Sequence, residues 1–282
     1  MTKTRPLLRC IQLTVFYAKE AKMRKFSCFI IIASTFFCTA SYAGFYGEKY
    51  CATPGFHCEK IKKSTLAEMI WTDARESEIV KKINRVHKWL QPGSLILIPD
   101  NMAGKTYMDF SPFPKTFNEF RYNLPNYISS KFLEQSNAYL KEILSEEKIV
   151  IWVPEMLAWA AYEKGKLINW GPALGGANRC EGKAGSCKTP SGIFEALEQK
   201  GVGHHSDLYP RGCKGKDCSW MPYSVKVRGD GLSMHGSKWF IGRHASHGCV
   251  RLFTKDAKWL NQKFFDYKTK KNKGTKIVLL PY

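Results

Sequence analysis

The sequence predicts a mainly β domain over residues 148–282, preceded by a small α+β unit over residues 44–100. Three observations carry this reading. From Ile149 onward, apolar residues recur in short runs or alternate with polar ones, and Gly- and Pro-containing turns separate the runs. Between residues 60 and 100 the spacing changes to strand, helix, helix, strand within about forty residues. Six cysteines form three close pairs around Gly-, Pro- or charge-rich loops (CATPGFHC, CEGKAGSC and CKGKDC). That last pattern belongs to a chain stapled in an oxidising compartment.

In chain order, residues 1–43 read as an extension plus a secretory signal peptide. Met23-Arg24-Lys25 gives a short positive start, Phe26 to Ala40 is uncharged and mostly apolar, and Ser41-Tyr42-Ala43 is a small-x-small cleavage site. Cleavage is the favoured reading and an uncleaved anchor the alternative. After cleavage no stable membrane span is expected, and the location is the periplasm or cell envelope. The whole chain carries a formal charge of +20. Residues 44–282 keep 37 basic and 23 acidic side chains, net +14. A basic exported protein meets anionic envelope polymers, although a solvated, solubilising surface explains the charge equally well. No nucleic-acid motif accompanies it, so nucleic acid is not an expected partner.

Residues 44–60 are expected to be loop. Lys60 to Leu66 suggests a short strand and turn. Leu66 to Trp71 and Ser77 to Arg85 have helical spacing, with Ile79, Val80 and Ile83 on one face. Gln91 to Ser94 is a turn before the strand Leu95 to Ile98, stopped by Pro99. Residues 101–147 form a connecting segment. Its DFSPFPK run (Asp109 to Lys115) is expected to pack as an ordered arm, with a helix over Phe132 to Leu144. The β domain opens with Ile149 to Val153. Leu157, Trp159 and Ala161 follow, then a turn at Glu163 to Lys166 and a return strand from Leu167 to Trp170. A strand over Ile193 to Leu197 leads into residues 198–221, a polar, Gly-rich, stapled loop of the kind that serves as a functional lid. Tyr223, Val225 and Val227 alternate, and Leu232 and Met234 begin another strand. Thr254 is positioned to cap a helix from Lys255 to Tyr267, and Ile277 to Leu280 is the last strand.

Seven cysteines follow residue 43. Local pairing gives Cys51–Cys58, Cys180–Cys187 and Cys213–Cys218, the simplest of fifteen connectivities. Cys249 is left over, and a leftover cysteine in an exported protein is an intermolecular bridge or a reactive thiol. Its surroundings favour the thiol. His235, His244 and His247 lie within fifteen residues, and an imidazole is the commonest means of generating a thiolate near neutral pH. Gly248 permits a tight bend that would aim the amides of His247, Gly248 and Cys249 at one spot, the outline of an oxyanion hole. A base also needs its far ring nitrogen held by an acceptor. No acidic residue is near His235 in sequence, which leaves a main-chain carbonyl such as that of Gly236. Arg251 suits a substrate carboxylate.

Met234-His235-Gly236-Ser237 followed by Ser246-His247-Gly248-Cys249-Val250-Arg251-Leu252 resembles the signature of L,D-transpeptidases with a YkuD-like catalytic domain. The resemblance extends over residues 148–282 and includes Ala158 to Gly176, Thr189 to Gly192 and Gly274-Thr275. It implies a β-sandwich catalytic domain with a C-terminal helix and no metal or other cofactor. It also implies attack by Cys249 on the diaminopimelate–D-Ala bond of a peptidoglycan tetrapeptide stem. A thioester then passes the stem to an amine. Carried over by motif, Cys249 is the nucleophile, His235 the base, Gly236 the orienting carbonyl, His247 to Cys249 the oxyanion amides and Arg251 the carboxylate clamp, with Ser246 supporting the turn. The segment from His235 to Ser246 is short for the family, implying a trimmed cleft lip, and the insertion at 198–221 is a candidate for shaping acceptor choice. Residues 44–100 resemble a LysM module, a binder of peptidoglycan glycan, through Thr65-Leu66, Ile83 to Arg85, Leu90, Pro92-Gly93, Ile96 and Ile98-Pro99. Lys63-Ser64 stands where Gly-Asp is usual, so a spacer or docking role competes with sugar binding.

Several functional readings stay open at this stage. The acceptor is another stem (a 3-3 crosslink), a protein amine (wall anchoring) or water (an L,D-carboxypeptidase); a non-catalytic wall-binding protein is the alternative from another class. Cys249 as a structural thiol and a zinc site from His235, His244, His247 and Cys249 are the competing readings of the motif. His204 and His205 read as solvated. Trp239 and Phe240 are placed either on a substrate wall or in packing under the loop.

Overall fold

The computed structural model describes residues 50–180, 185–240 and 242–282. The expected extension and signal peptide, residues 1–43, lie outside the described residues. Among the described residues, no helix is long and apolar enough to cross a membrane.

Strand β1 (Phe56–Lys60) pairs antiparallel with β4 (Leu95–Pro99), and a short ladder joins β2 (Thr65–Leu66) to β3 (Trp89–Leu90). Between them lie helices α1 (Ala67–Ile70) and α2 (Ala74–Asn84). The expectation of loop over residues 44–60 is corrected for its last five residues. Gly and Pro in CATPGFHC suggested a turn, but the turn ends at Gly55, and residues 56–60 meet the apolar LILIP strand across the ladder. The Asp73 carboxylate accepts from the amides of Arg75 and Glu76 and so caps α2, which stops at Arg85 in the left-handed region (φ 56°). Helix α2 serves two cores. Val80 packs with Ile61, Ala67, Leu90, Ile96 and Ile98. Ile79 and Ile83 join a larger cluster with Phe113, Phe117, Phe120, Tyr162 and Trp170. The connecting segment therefore packs as ordered structure. It contains α3 (Phe117–Tyr122), capped by the Thr116 hydroxyl, and α4 (Leu133–Glu142).

Among the described residues the β domain holds nine strands. They are β5 (Lys148–Val153), β6 (Ala158–Glu163), β7 (Lys166–Leu174), β8 (Gly192–Glu195), β9 (Glu198–Gln199), β10 (Val225–Lys226), β11 (Ser233–Gly236), β12 (Val250–Leu252) and β13 (Lys276–Leu279). Their order in the sheet is β8-β13-β5-β6-β7-β12-β11-β10-β9. The expected sandwich is thus one continuous curled sheet whose halves meet along β7 and β12, not two separate sheets. Its core joins Val150, Trp152, Trp159 and Ala173 from one half to Val225, Met234, Val250 and Leu252 from the other. Leu260 and Phe264 close this core from helix α5 (Thr254–Trp259) and the π-helical turn Leu260–Phe264 that continues it. Thr254 is the first residue of that helix and not its cap; Phe253 occupies the N-cap position without a side-chain hydrogen bond. All three local disulfides, Cys51–Cys58, Cys180–Cys187 and Cys213–Cys218, are formed.

Candidate active site

The site begins with two short parallel strands. In the β11–β12 ladder Met234 faces Val250, His235 faces Arg251 and Gly236 faces Leu252. Side chains alternate across a strand, so Met234, Val250 and Leu252 enter the core while His235 and Arg251 share the opposite face. Cys249, one residue before β12, is the free cysteine among the described residues and lies half-buried. His235, Cys249 and Arg251 line one cleft of about 300 Å³, with Ser246, His247 and Gly248 on its wall.

The His235 Nδ1 sits 2.8 Å from the carbonyl oxygen of Gly236. A carbonyl only accepts, so Nδ1 carries the proton and Nε2 keeps its lone pair. The Gly236 amide is held in turn by the Pro222 carbonyl at 2.8 Å. His235 is buried, and desolvation lowers its pKa to about 4 against the raising effect of the Gly236 hydrogen bond; the nearby positive charge of Arg251 lowers it further. Burial pushes the Cys249 thiol up, and the Asp230 carboxylate adds to this, while a Ser233 backbone hydrogen bond and Arg251 oppose it. The Cys249 Sγ lies 3.6 Å from the carbonyl oxygen of Gly231, to which the thiol donates. Both shifts favour a resting pair of neutral thiol and neutral imidazole.

The bend before Cys249 is built from Ser246. Its hydroxyl donates to the Cys249 carbonyl and accepts from the Gly248 amide at 3.1 Å, while Gly248 adopts φ 125°. Of the three amides the sequence nominated for an oxyanion hole, that of Gly248 is thus engaged by Ser246. A second loop fixes the bend. The Gly175 carbonyl accepts from the amides of Ala245 and Ser246, and the Ser246 carbonyl accepts from Ala177. Gly176 lies so close to the neighbouring loop that a Cβ there would stand 1.6 Å from the Cys187 carbonyl oxygen. The Gly176 amide donates to Thr189 Oγ1, and its carbonyl accepts from Tyr282 Oη. These contacts give the Thr189-to-Gly192 turn and the last residue a structural job beside the cleft.

Arg251 is largely buried, and burial lowers its pKa. Among the described residues no carboxylate pairs with its guanidinium. A desolvated cation facing a cleft without a counter-ion is built to take an anion from outside.

His244 lies apart from this group. Its Nδ1 accepts from the Gly175 amide at 2.9 Å, and its ring packs against Trp152 and Tyr282. Burial takes its pKa to about 4. The four-ligand zinc reading loses this member, and among the described residues no three His, Cys, Asp or Glu side chains converge. His247 stacks on Tyr209 with ring centroids 4.4 Å apart. His204 and His205 line a separate hollow within the stapled loop. Trp239 is 75% exposed, so it neither packs under the loop nor lines the cleft. Phe240 is buried 4.8 Å from Phe253.

The stapled loop supplies Ser206, Leu208, Tyr209, Ser219 and Met221 to the cleft wall. Sequence reasoning nominated the loop but none of these side chains. It also missed Arg228 and Asp230, which line the cleft on the turn before β11. The only available signal was the run RGDG, which places two opposite charges on a glycine-rich turn ahead of a strand.

Residues 146–278 match the family model of the L,D-transpeptidase catalytic domain, YkuD. No match was found among curated proteins. Similar solved structures include an L,D-transpeptidase from Xylanimonas cellulosilytica, 25% identical over 51% of this chain and 69% of that one, with a TM-score of 0.39. An L,D-transpeptidase from Mycobacterium smegmatis is 20% identical over 48% of this chain and 59% of its own, TM-score 0.38. One from Mycobacterium tuberculosis H37Rv is 18% identical over 48% and 58%, TM-score 0.37. The alignments to both mycobacterial chains span less than two thirds of their length.

Proposed function

We propose that this protein is a peptidoglycan L,D-transpeptidase of the cell envelope, with Cys249 as nucleophile and His235 as base. The observation that carries the proposal is one cleft holding a thiol, an imidazole with its Nδ1–H fixed on the Gly236 carbonyl, and a guanidinium lacking a counter-ion. A stem carboxylate pairs with Arg251. His235 Nε2 takes the Sγ proton as sulfur attacks the carbonyl at the diaminopimelate L-centre. The amides of His247 and Cys249, joined by that of Gly248 if Ser246 releases it, receive the negative oxygen. His235 returns the proton to the departing D-Ala nitrogen, and a thioester remains. An amine then attacks the thioester, its proton passes by way of His235 to Sγ, and a new amide leaves with the thiol restored.

The unit formed by residues 44–100 is proposed to dock on glycan as a LysM-like module. Supporting this, the large apolar side chains of Met69, Ile70 and Trp89 are exposed at or beside the β2–β3 ladder.

Incubation of the protein with tetrapeptide-containing muropeptides, followed by mass spectrometry, tests the enzymatic proposal. A thioester at Cys249 and crosslinked or amine-extended stems are expected. Tripeptide as the sole product would replace transfer by hydrolysis, and the absence of both thioester and product would overturn the assignment.

A further inference from the structure

The tight turn Arg228-Gly229-Asp230-Gly231 closes through the Gly231 amide on the Arg228 carbonyl, with Gly231 at φ 95°. Its last residue supplies the carbonyl that holds the Cys249 thiol. Arg228 and Asp230 therefore stand on the element that touches the nucleophile, and both line its cleft. They form a fork-to-fork pair. Arg228 Nε donates to Asp230 Oδ1 at 2.8 Å, and Nη2 donates to Oδ2. Both side chains remain 41–56% exposed, so the pair faces open space.

The charge balance of the cleft gives the pair its interest. Its described lining carries Lys188, Arg228 and Arg251 as cations and Asp230 as the one carboxylate. Lys188 is occupied by the Tyr282 carbonyl oxygen at 2.7 Å. An acceptor amine arrives as an ammonium, and such a cleft repels it everywhere except at Asp230. The pairing with Arg228 leaves valence unused on both partners. A guanidinium has five N–H groups and two are engaged, so the Nη1 edge still offers a fork that fits a carboxylate. Asp230 Oδ1 also accepts from the Leu232 amide at 3.4 Å, so it is Oδ2 that keeps a lone pair for an ammonium.

We infer that the Arg228–Asp230 pair selects the second substrate of the transfer proposed at Cys249, an amine whose carbon also carries a carboxylate. Asp230 holds the ammonium and Arg228 the carboxylate, as complementary halves of one zwitterion. The ammonium gives one proton to solvent before attack. The resulting amine adds to the thioester carbonyl, its next proton travels through His235 to sulfur, and the C–S bond breaks as the amide forms. An isolated side-chain amine satisfies Asp230 alone and meets the positive fork of Arg228 without compensation.

The inference rests on acyl transfer at Cys249, and a competition assay keeps the two separable. The full chain is given a tetrapeptide stem together with equal concentrations of D-leucine and D-leucinamide, which differ in the acceptor carboxylate. Product ratios are read by mass spectrometry. Such ratios depend neither on how fast the acyl-enzyme forms nor on how much protein is folded. Relative to the unmodified chain, Arg228→Gln is expected to lower the D-leucine to D-leucinamide ratio by ~10-fold or more, the value of one charge-assisted fork. Arg228→Lys should fall between, because it keeps the charge and loses the fork. Asp230→Asn should shift both acceptors toward hydrolysis. Ratios unchanged within about twofold in Arg228→Gln and Asp230→Asn would overturn the inference while leaving transfer intact. An unmodified chain that forms the thioester and passes it only to water overturns it too. Failure to form any thioester at Cys249 removes the proposed function itself.

Discussion

His235 and His244 are chemically alike and are buried for different ends. Both have pKa values lowered to about 4, with desolvation the largest cause. The direction fixes how stability depends on pH. Below about 6.5 an unfolded chain protonates both rings, whereas the folded chain does not until about 4. Stability is therefore lost as pH falls through that window, by up to about 3 kcal/mol for each ring. Partial burial lowers His87 and His204 in the same direction. Thermal unfolding followed from pH 7 to 4 should show the midpoint falling mainly in this range. Replacing His244 by Gln, which keeps an acceptor for the Gly175 amide, should flatten part of the slope; an unaltered slope would remove His244 as a cause. For catalysis the same shift in His235, beside a raised Cys249 thiol, predicts single-turnover acylation that is nearly flat from about pH 5 to 8 and falls as His235 protonates near 4. A resting thiolate–imidazolium pair would instead place an acid limb where the thiolate protonates, so a limb centred within the pH 5 to 8 range would contradict the neutral pair. Cys249→Ala should abolish acylation and leave the unfolding midpoint close to that of the parent, because the half-buried thiol holds only a 3.6 Å donation to the Gly231 carbonyl and a backbone hydrogen bond from Ser233.

At the scale of elements, the stapled loop between β9 and β10 is the feature whose importance composition indicated and whose contacts it concealed. Gly-rich spacing and the CKGKDC pair marked it as a lid. The structure adds that Ser206, Ser219 and Met221 amides fasten its two arms together, and that Tyr209 reaches His247. Tyr209→Ala should raise KM for the stem about 2- to 10-fold through the lost stack, with a smaller effect on kcat. An equal fall in kcat at constant KM would place Tyr209 in the chemical step. The motif residues were legible because their chemistry is local. His235 and Gly236 are adjacent, and Ser246 to Arg251 span six residues. The strand at residues 56–60 was not, because its partner lies about forty residues away and its own composition reads as turn. Nor was the curl that turns two expected sheets into one, since only the β7–β12 ladder decides it. Neither was the role of His244, because its acceptor function depends on a glycine amide 69 residues distant.

Across the whole molecule, the N-terminal unit is fastened to the β domain by a charge pair that no local pattern could reveal. The Lys82 ammonium, on α2, donates at 2.9 Å both to Asp256 Oδ1 and to the Trp170 carbonyl, and it lies 3.8 Å from the centre of the Tyr107 ring. Lys82 and Asp256 are 174 positions apart and 1% and 3% exposed. Burial raises the Asp256 pKa, and Lys82 opposes it. The enclosure is close, since a Cβ on Gly171 would stand 2.0 Å from Asp256 Oδ2. Around the pair, Lys255 meets Glu78 at 3.1 Å and His87 packs edge-on against Phe253, which itself touches Phe240. Helix α5, which carries Asp256, begins directly after β12 and Arg251, so this interface backs the strand that bears the proposed clamp. Desolvation makes the pair a poor source of stability in itself, while removing one partner strands a buried charge. Lys82→Met should therefore cost about 3–5 kcal/mol in denaturant unfolding, and Lys82→Met combined with Asp256→Leu should recover most of that loss. A single substitution costing under about 1 kcal/mol would mean that water reaches Asp256 and that the interface opens in solution. If the double variant regains stability yet shows a raised KM for the stem, the pair's contribution lies in holding α5, and with it Arg251, at the position the cleft requires.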